Sequence, residues 1–219
     1  MIELSNSDLA AVWQAIYQRT DYRWPIGQSS AAKLAMLTSV VNAGSSRDEL
    51  SAALSPMLVS DDANRAAQWI IRDWGGIRRT SDTSIEQMVI GFRDYSIEAV
   101  NDFISEHGCN RISSWSKLLA FQNTERWAIY DSRTAVALNV ALMSAGRDPC
   151  FEMPLSRNKT IKPKHAAIRA EQNHRSLVGY LDYLSVLNAL KVYRNLQNIG
   201  QVEMILFANA EAIVNASSR

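Results

Sequence analysis

Residues 116–139, SKLLAFQNTERWAIYDSRTAVALN, contain a lysine, Lys117, and fourteen positions later an aspartate, Asp131. The two types suit bond cleavage at a sugar. An amine can add to an electrophilic carbon and pass through a Schiff base, and a carboxylate can stabilise a developing cation or activate a water. In RISSWSKLLAF the apolar residues Ile112, Trp115 and Leu119 recur at helical spacing and should face a core. Lys117 then lies about 140° round the helix from Ile112, so it is expected to point outward, to solvent or into a cleft. Asp131 follows the apolar approach RWAIY and precedes SRTAVALNVALMSA, which reads as a helix. A carboxylate there accepts hydrogen bonds from first-turn amides and is favoured by the helix dipole. Ser132 is an alternative cap that would release Asp131 for other work. The purely structural alternatives are a solvated lysine and a helix cap.

Charge and aromatic residues collect at three further places. The segment Leu155–Ala170, LSRNKTIKPKHAAIRA, carries Arg157, Lys159, Lys162, Lys164 and Arg169 with no acid. In a chain of net charge +1 such a run is local, and clustered Lys and Arg are the main source of phosphate affinity through counterion release. A second basic patch, Arg72 with Arg78 and Arg79, flanks Gly75 and Gly76. Among the six tryptophans, Trp13 and Trp69 sit on apolar stripes and read as core. Trp74, Trp115 and Trp127 lie near helix ends or polar loops, where an indole can stack on an extruded base or pack at an interface.

Other chemistries find little support. Cys109 and Cys150 make neither a disulfide framework nor a metal site, and His107, His165 and His174 include no HExxH pair. No GxGxxG, GxxxxGK[ST], GxSxG or CxxC motif occurs, so phosphate binding by a glycine loop is disfavoured. With 47% hydrophobic and 21% charged residues, the 219-residue chain can bury a core. No leader-like segment opens it and no apolar run reaches membrane-spanning length, so the expectation is a reduced, cytoplasmic, soluble protein.

Nearly every segment has helical periodicity, which predicts an all-α fold of about ten helices, as one compact domain or two lobes around a cleft. The lobes would be residues 25–110, and the N-terminal helix with 111–219. Ser7 is read as the first cap, Gly44 as the end of the helix through AAKLAMLTSVVNA, and SDDANRAAQWIIRDW as one helix stopped by glycines. Two helices bend near Asp94 and Tyr95, one runs from about Ser114 to Phe121, and one from about Ser132 to Ala145. The longest is expected within HRSLVGYLDYLSVLNALKVYRNL.

A lysine-bearing helix, a short linker, an apolar approach and an aspartate at a helix start together resemble the catalytic core of the helix-hairpin-helix DNA glycosylases. AIYDSRTAVAL matches the aspartate half, and ISSWSK occupies the place of the hairpin and its lysine. Ser113, Ser114 and Trp115 stand where the family has Gly-x-Gly, the gap from Lys117 to Asp131 is shorter than the family's, and no iron–sulfur cysteine cluster is present. The resemblance implies base excision from duplex DNA by flipping, with Asp131 stabilising the sugar cation and Lys117, where it reaches the sugar, adding lyase activity. It implies phosphate contacts by Ser113 and Ser114, with Arg133 contacting phosphate or pairing with an acid, no metal or organic cofactor, and action as a monomer. Repair and defence against modified foreign DNA are both compatible with it. The alternatives are a non-catalytic all-α module binding DNA or protein, and an unrelated helical protein in which Asp131 is only a cap.

Overall fold

The computed structural model describes residues 2–17, 25–92, 94–173 and 176–217. Among them are eleven α-helices and one π-helix. In order these are α1 (Asn6–Ile16), α2 (Gln28–Leu37), α3 (Arg47–Leu58), α4 (Ala63–Gln68) and the π-helix (Trp69–Trp74). They continue as α5 (Asp82–Phe92), α6 (Ile97–His107), α7 (Ile112–Gln122), α8 (Ser132–Ser144), α9 (Lys162–Gln172), α10 (Tyr180–Arg194) and α11 (Ile199–Ala216). The described residues contain no strand, only one isolated parallel bridge between Phe151 and Val178. The fold class is all-α, as the periodicity predicts. No described helix is long and apolar enough to cross a membrane. His174 falls outside the described residues.

Local chemistry explains where the helices start and stop. Ser5, not Ser7, caps α1, because Asp8 at the third helical position reciprocates by accepting the Ser5 N–H at 2.9 Å. Ser46 and Glu49 make the same capping box at α3. Helix α2 ends at Leu37, well before Gly44: Thr38 is extended, and the β-branched Val40 and Val41 continue outside the helix. Gly44 sits instead in a turn, its N–H donating to Asn42 Oδ1 at 2.8 Å. SDDANRAAQWIIRDW is not one regular helix, since α4 widens into the π-helix at Trp69. That wider turn buries Trp69, Ile70, Ile71 and Trp74 together. The longest helix is α11 with 18 residues, because Asn195, in the left-handed region, ends α10 after 15.

Packing divides the chain into two compact units, Met1–Tyr22 with Ile129–Arg219, and Arg23–Ala128. Helix α7 and the turn after it pack in the unit Arg23–Ala128. In the first unit α8 is central, flanked by α1 and α11, and every residue from Thr134 to Leu142 is buried. In the second unit α3 and the π-helix flank α7, which is buried without interruption from Ser114 to Phe121. Ser51 and Ser55 of α3 donate to the carbonyls of Phe121 (2.6 Å) and Gln122 (2.8 Å), closing the C-terminal end of α7.

Candidate functional site

Asp131 is the N-cap of α8. Its Oδ1 accepts the amides of Arg133 (2.9 Å) and Thr134 (3.1 Å), while the Asp131 N–H donates to Thr134 Oγ1 at 3.0 Å. The residue is half-buried, and among the described residues Oδ2 accepts no hydrogen bond. Ser132, the alternative cap, is the first helical residue instead. The approach is pinned at successive positions. The Tyr183 hydroxyl donates to the Ile129 carbonyl at 2.9 Å, and the Tyr130 hydroxyl donates to the Glu152 carbonyl. Burial raises the Tyr183 phenol well above its usual value, and nearby Glu203 adds to the effect, so it stays a donor. A rigid approach, a reciprocal cap and a helix buried on all sides fix the direction of this carboxylate. One oxygen holds the helix, and the other accepts no hydrogen bond among the described residues.

Lys117 corrects the outward expectation. It is 5% exposed, because α7 has no solvent face here: rotation away from Ile112 leads to the end of the π-helix. A Cβ added at Gly75 would stand 2.8 Å from both Lys117 Cδ and Cε, so the lysine stem lies directly on that glycine. Nζ donates to the Ser113 carbonyl one turn back at 2.6 Å. The chain reversal between α6 and α7 is Gly108–Arg111, where Gly108 and Arg111 both have φ +55°. Ser113, Ser114 and Trp115, placed in a hairpin loop by the sequence reading, form the first turn of α7. The Ser114 amide is taken by the Arg111 carbonyl at 2.7 Å and its side chain is buried, so Ser114 offers nothing to a phosphate. Ser113 is half-buried.

The remaining candidates separate by exposure. Trp74, Trp115 and Trp127 are all buried, so none presents a ring to an extruded base. Trp74 meets Phe121 edge-on, Trp115 packs with Phe92 and Phe103 and donates to the Asn110 carbonyl, and Arg126 lies over Trp127. Trp13 and Trp69 are buried, as their stripes predict. Arg72 is committed to Asp82 (2.8 Å) and the Thr80 carbonyl, whereas Arg78 and Arg79 are exposed at a turn. Arg157, Lys159, Lys162 and Arg169 are exposed and Lys164 half-buried, with no acid in ion-pair reach among the described residues. Lys162 and Lys164 open α9, where no acid or side-chain cap offsets the positive end of its dipole.

Arg133 is held by Glu211 at 3.1 Å, its guanidinium over the Phe207 ring. The same Glu211 oxygen accepts Asn158 Nδ2 at 2.8 Å, which ties the basic loop to the helix that Asp131 caps. Sequence reasoning missed Glu211 and Asn158, as their pairing spans 53 residues. It also missed Asn139, although an asparagine inside the apolar run AVALNVALM is a signal that a buried amide has a partner. No group of three or more His, Cys, Asp or Glu able to hold a metal occurs among the described residues. Comparison with protein families, with curated proteins and with solved structures finds no match to the chain.

Proposed function

We propose that the chain is a DNA N-glycosylase of the helix-hairpin-helix type, removing a damaged or modified base with Asp131 as the catalytic carboxylate. The observation that carries this reading is the division of labour in Asp131: Oδ1 caps α8 and Oδ2 is uncommitted among the described residues. With the target nucleotide flipped out of the duplex, Oδ2 stabilises positive charge on the sugar as the C1′–N bond breaks. It then takes a proton from the water whose oxygen bonds to C1′, and the departing base is protonated as it leaves. Lys117, buried and bonded to Ser113, is not poised to attack, so the product of this reading is an abasic site rather than a nicked strand. The DNA partner, the two-lobed arrangement, monomeric action and a cytoplasmic setting belong to the same proposal, whether the role is repair or defence.

The test is incubation with duplexes bearing assorted lesions and cytosine modifications, followed by alkali to reveal abasic sites. Base release on any one of them supports the reading. Borohydride trapping separates the lyase variant: a covalent complex lost in Lys117→Ala would return the lysine to a catalytic role.

The basic segment gives an independent expectation. Neutralising Lys159, Lys162 and Lys164 should weaken binding to all sequences alike and reduce the salt slope of log affinity by about 2–3. An unchanged slope in a fluorescence-anisotropy salt titration would remove the segment from the interface. The second reading, a DNA-binding module without chemistry, is favoured by how completely both arms of the Asp131 capping box are satisfied. Salt-dependent affinity without base release on any substrate supports it.

A further inference from the structure

π-Helical turns are rare and appear mostly at functional sites. The π-helix Trp69–Trp74 borders a groove that it shares with α2 and with the turn after Gly75. The groove has a volume of about 420 Å³, within the roughly 300–1,000 Å³ of small-molecule sites. Ser29 and Lys33 of α2, Arg72 and Asp73 of the π-helix, and Arg78 of the turn line it. Lys33, Arg72 and Asp73 also line a second recess of about 260 Å³, where Met36, Leu37 and Trp69 supply an apolar shelf. All of these residues belong to the unit Arg23–Ala128.

Hydrogen bonds hold the walls in place. Trp69 Nε1 donates to the Ser30 carbonyl at 2.9 Å, and Ser30 Oγ donates to the Asp73 carbonyl at 3.0 Å, which laces α2 to the π-helix. Arg72 secures the turn, donating through Nε to the Thr80 carbonyl at 2.9 Å and pairing with Asp82 at 2.8 Å. Lys33 Nζ meets Asp73 Oδ1 at 2.7 Å.

The polar end of the groove has three cations, Lys33, Arg72 and Arg78, against one acid, Asp73. Arg78 is exposed and makes no ion pair among the described residues. Helix α2 starts beside it at Gly27 with no side-chain cap and no acid in its first turn, so its dipole adds to the positive charge. Asp73 Oδ2 accepts no hydrogen bond among the described residues and can take a hydroxyl. The sequence along the groove is therefore an anion receptor, a hydroxyl acceptor and an apolar shelf.

We infer that this groove binds a free nucleoside monophosphate. Its phosphate sits with Arg78, Lys33 and the first turn of α2, a sugar hydroxyl donates to Asp73, and the base lies on the shelf at Met36 and Trp69. Duplex DNA offers phosphates but keeps its bases in the stack, and so would leave the shelf empty. The inference goes beyond the glycosylase reading and stands without it.

The experiment is isothermal titration calorimetry of the full chain with AMP, GMP, CMP and UMP, and with adenosine and inorganic phosphate as truncated probes. At least one mononucleotide should bind saturably, and adenosine and phosphate should each bind about tenfold or more weakly than it does. Arg78→Ala should weaken binding about tenfold or more and, since the side chain is exposed, should melt with the wild type. Ser29→Glu separates binding from folding. An acid in the uncapped first turn favours the helix, so the melting temperature should hold or rise, while repulsion of the phosphate should lower affinity about tenfold or more.

No saturable binding of any of the four mononucleotides up to about 10 mM would overturn the inference. So would binding that Arg78→Ala and Ser29→Glu both leave unchanged, or adenosine binding as tightly as AMP. Displacement of the nucleotide by a blunt duplex without terminal phosphates, lost in Arg78→Ala, would give the groove to the DNA backbone and also overturn it. Base release without nucleotide binding upholds the glycosylase and sinks the groove, and nucleotide binding without base release on any substrate does the reverse.

Discussion

Asp131→Asn is expected to leave the protein folded and to remove base release. Asparagine caps helices about as well as aspartate, so its side-chain oxygen can keep the amides of Arg133 and Thr134. The melting temperature should therefore move by no more than about 2–4 °C, the shift that 1 kcal/mol produces in a domain of this size. What disappears is the negative charge of the carboxylate and the ability of its second oxygen to take a proton. Loss of a general base or of charge stabilisation slows reactions by roughly 10²–10⁴-fold, and single-turnover alkali cleavage should read a decrease of that order. Asp131→Ala is the complementary variant. It removes the cap as well and should cost about 1 kcal/mol of stability besides the chemistry. Cleavage by Asp131→Asn at the wild-type rate would end the proposed mechanism and leave Asp131 as a cap alone.

The largest expected stability change lies in the other unit, at Gly75. Its φ of −78° is open to any residue, so the glycine is not there for backbone freedom. On that ground alone Gly75→Ala would stabilise by about 0.4–1 kcal/mol through the unfolded chain. The surroundings reverse the sign. An alanine Cβ would stand 2.8 Å from the Ile71 carbonyl oxygen, which is backbone and cannot swing away, and 2.8 Å from two carbons of Lys117. Overpacking of that kind typically costs 1–3 kcal/mol, or about 3–10 °C in melting temperature. Urea unfolding should show a lower midpoint with an unchanged slope. Because half of the clash is the lysine stem, the penalty should shrink by about 1 kcal/mol in a Lys117→Ala background, a coupling a double-mutant cycle resolves. A Gly75→Ala protein as stable as the wild type would mean that the lysine does not lie on this glycine.

The contrast between these two sites shows what a sequence discloses. Helix type and number followed from apolar spacing, and α7 and α8 lie within two residues of their expected ends. The cap role of Asp131 was legible because capping is a local transaction among four consecutive residues. Lys117 was misread because spacing arguments grant every helix a solvent face. A helix enclosed as fully as α7 has none, and its polar residues turn inward with the rest. The π-helix was illegible for a related reason: four buried apolar residues in six suit a wider turn, yet a 3.6-residue template simply reads them as a dense stripe. Among the candidate tryptophans, position near a helix end suggested accessibility, but burial depends on elements distant in sequence. Glu211 carries no local signal, since its partners lie 53 and 78 residues away.

Residues 151–154 are held by buried side chains, with Asn139 donating to the Phe151 carbonyl at 2.8 Å and accepting its N–H at 3.0 Å. Gln172 donates to the same carbonyl, Tyr130 to the Glu152 carbonyl and His165 Nε2 to the Pro154 carbonyl. This anchoring has a kinetic meaning. Its anchors come from the approach to α8, from α8 itself and from α9, so no local nucleus can form it. The segment takes shape only after those helices have docked, on the native side of the folding barrier. A φ-value of about zero at Asn139 is the signature: truncation there would hasten unfolding and leave the folding rate almost untouched. The path of this segment is thus a property of the finished structure, absent from any partly folded chain that has helices but not yet their arrangement.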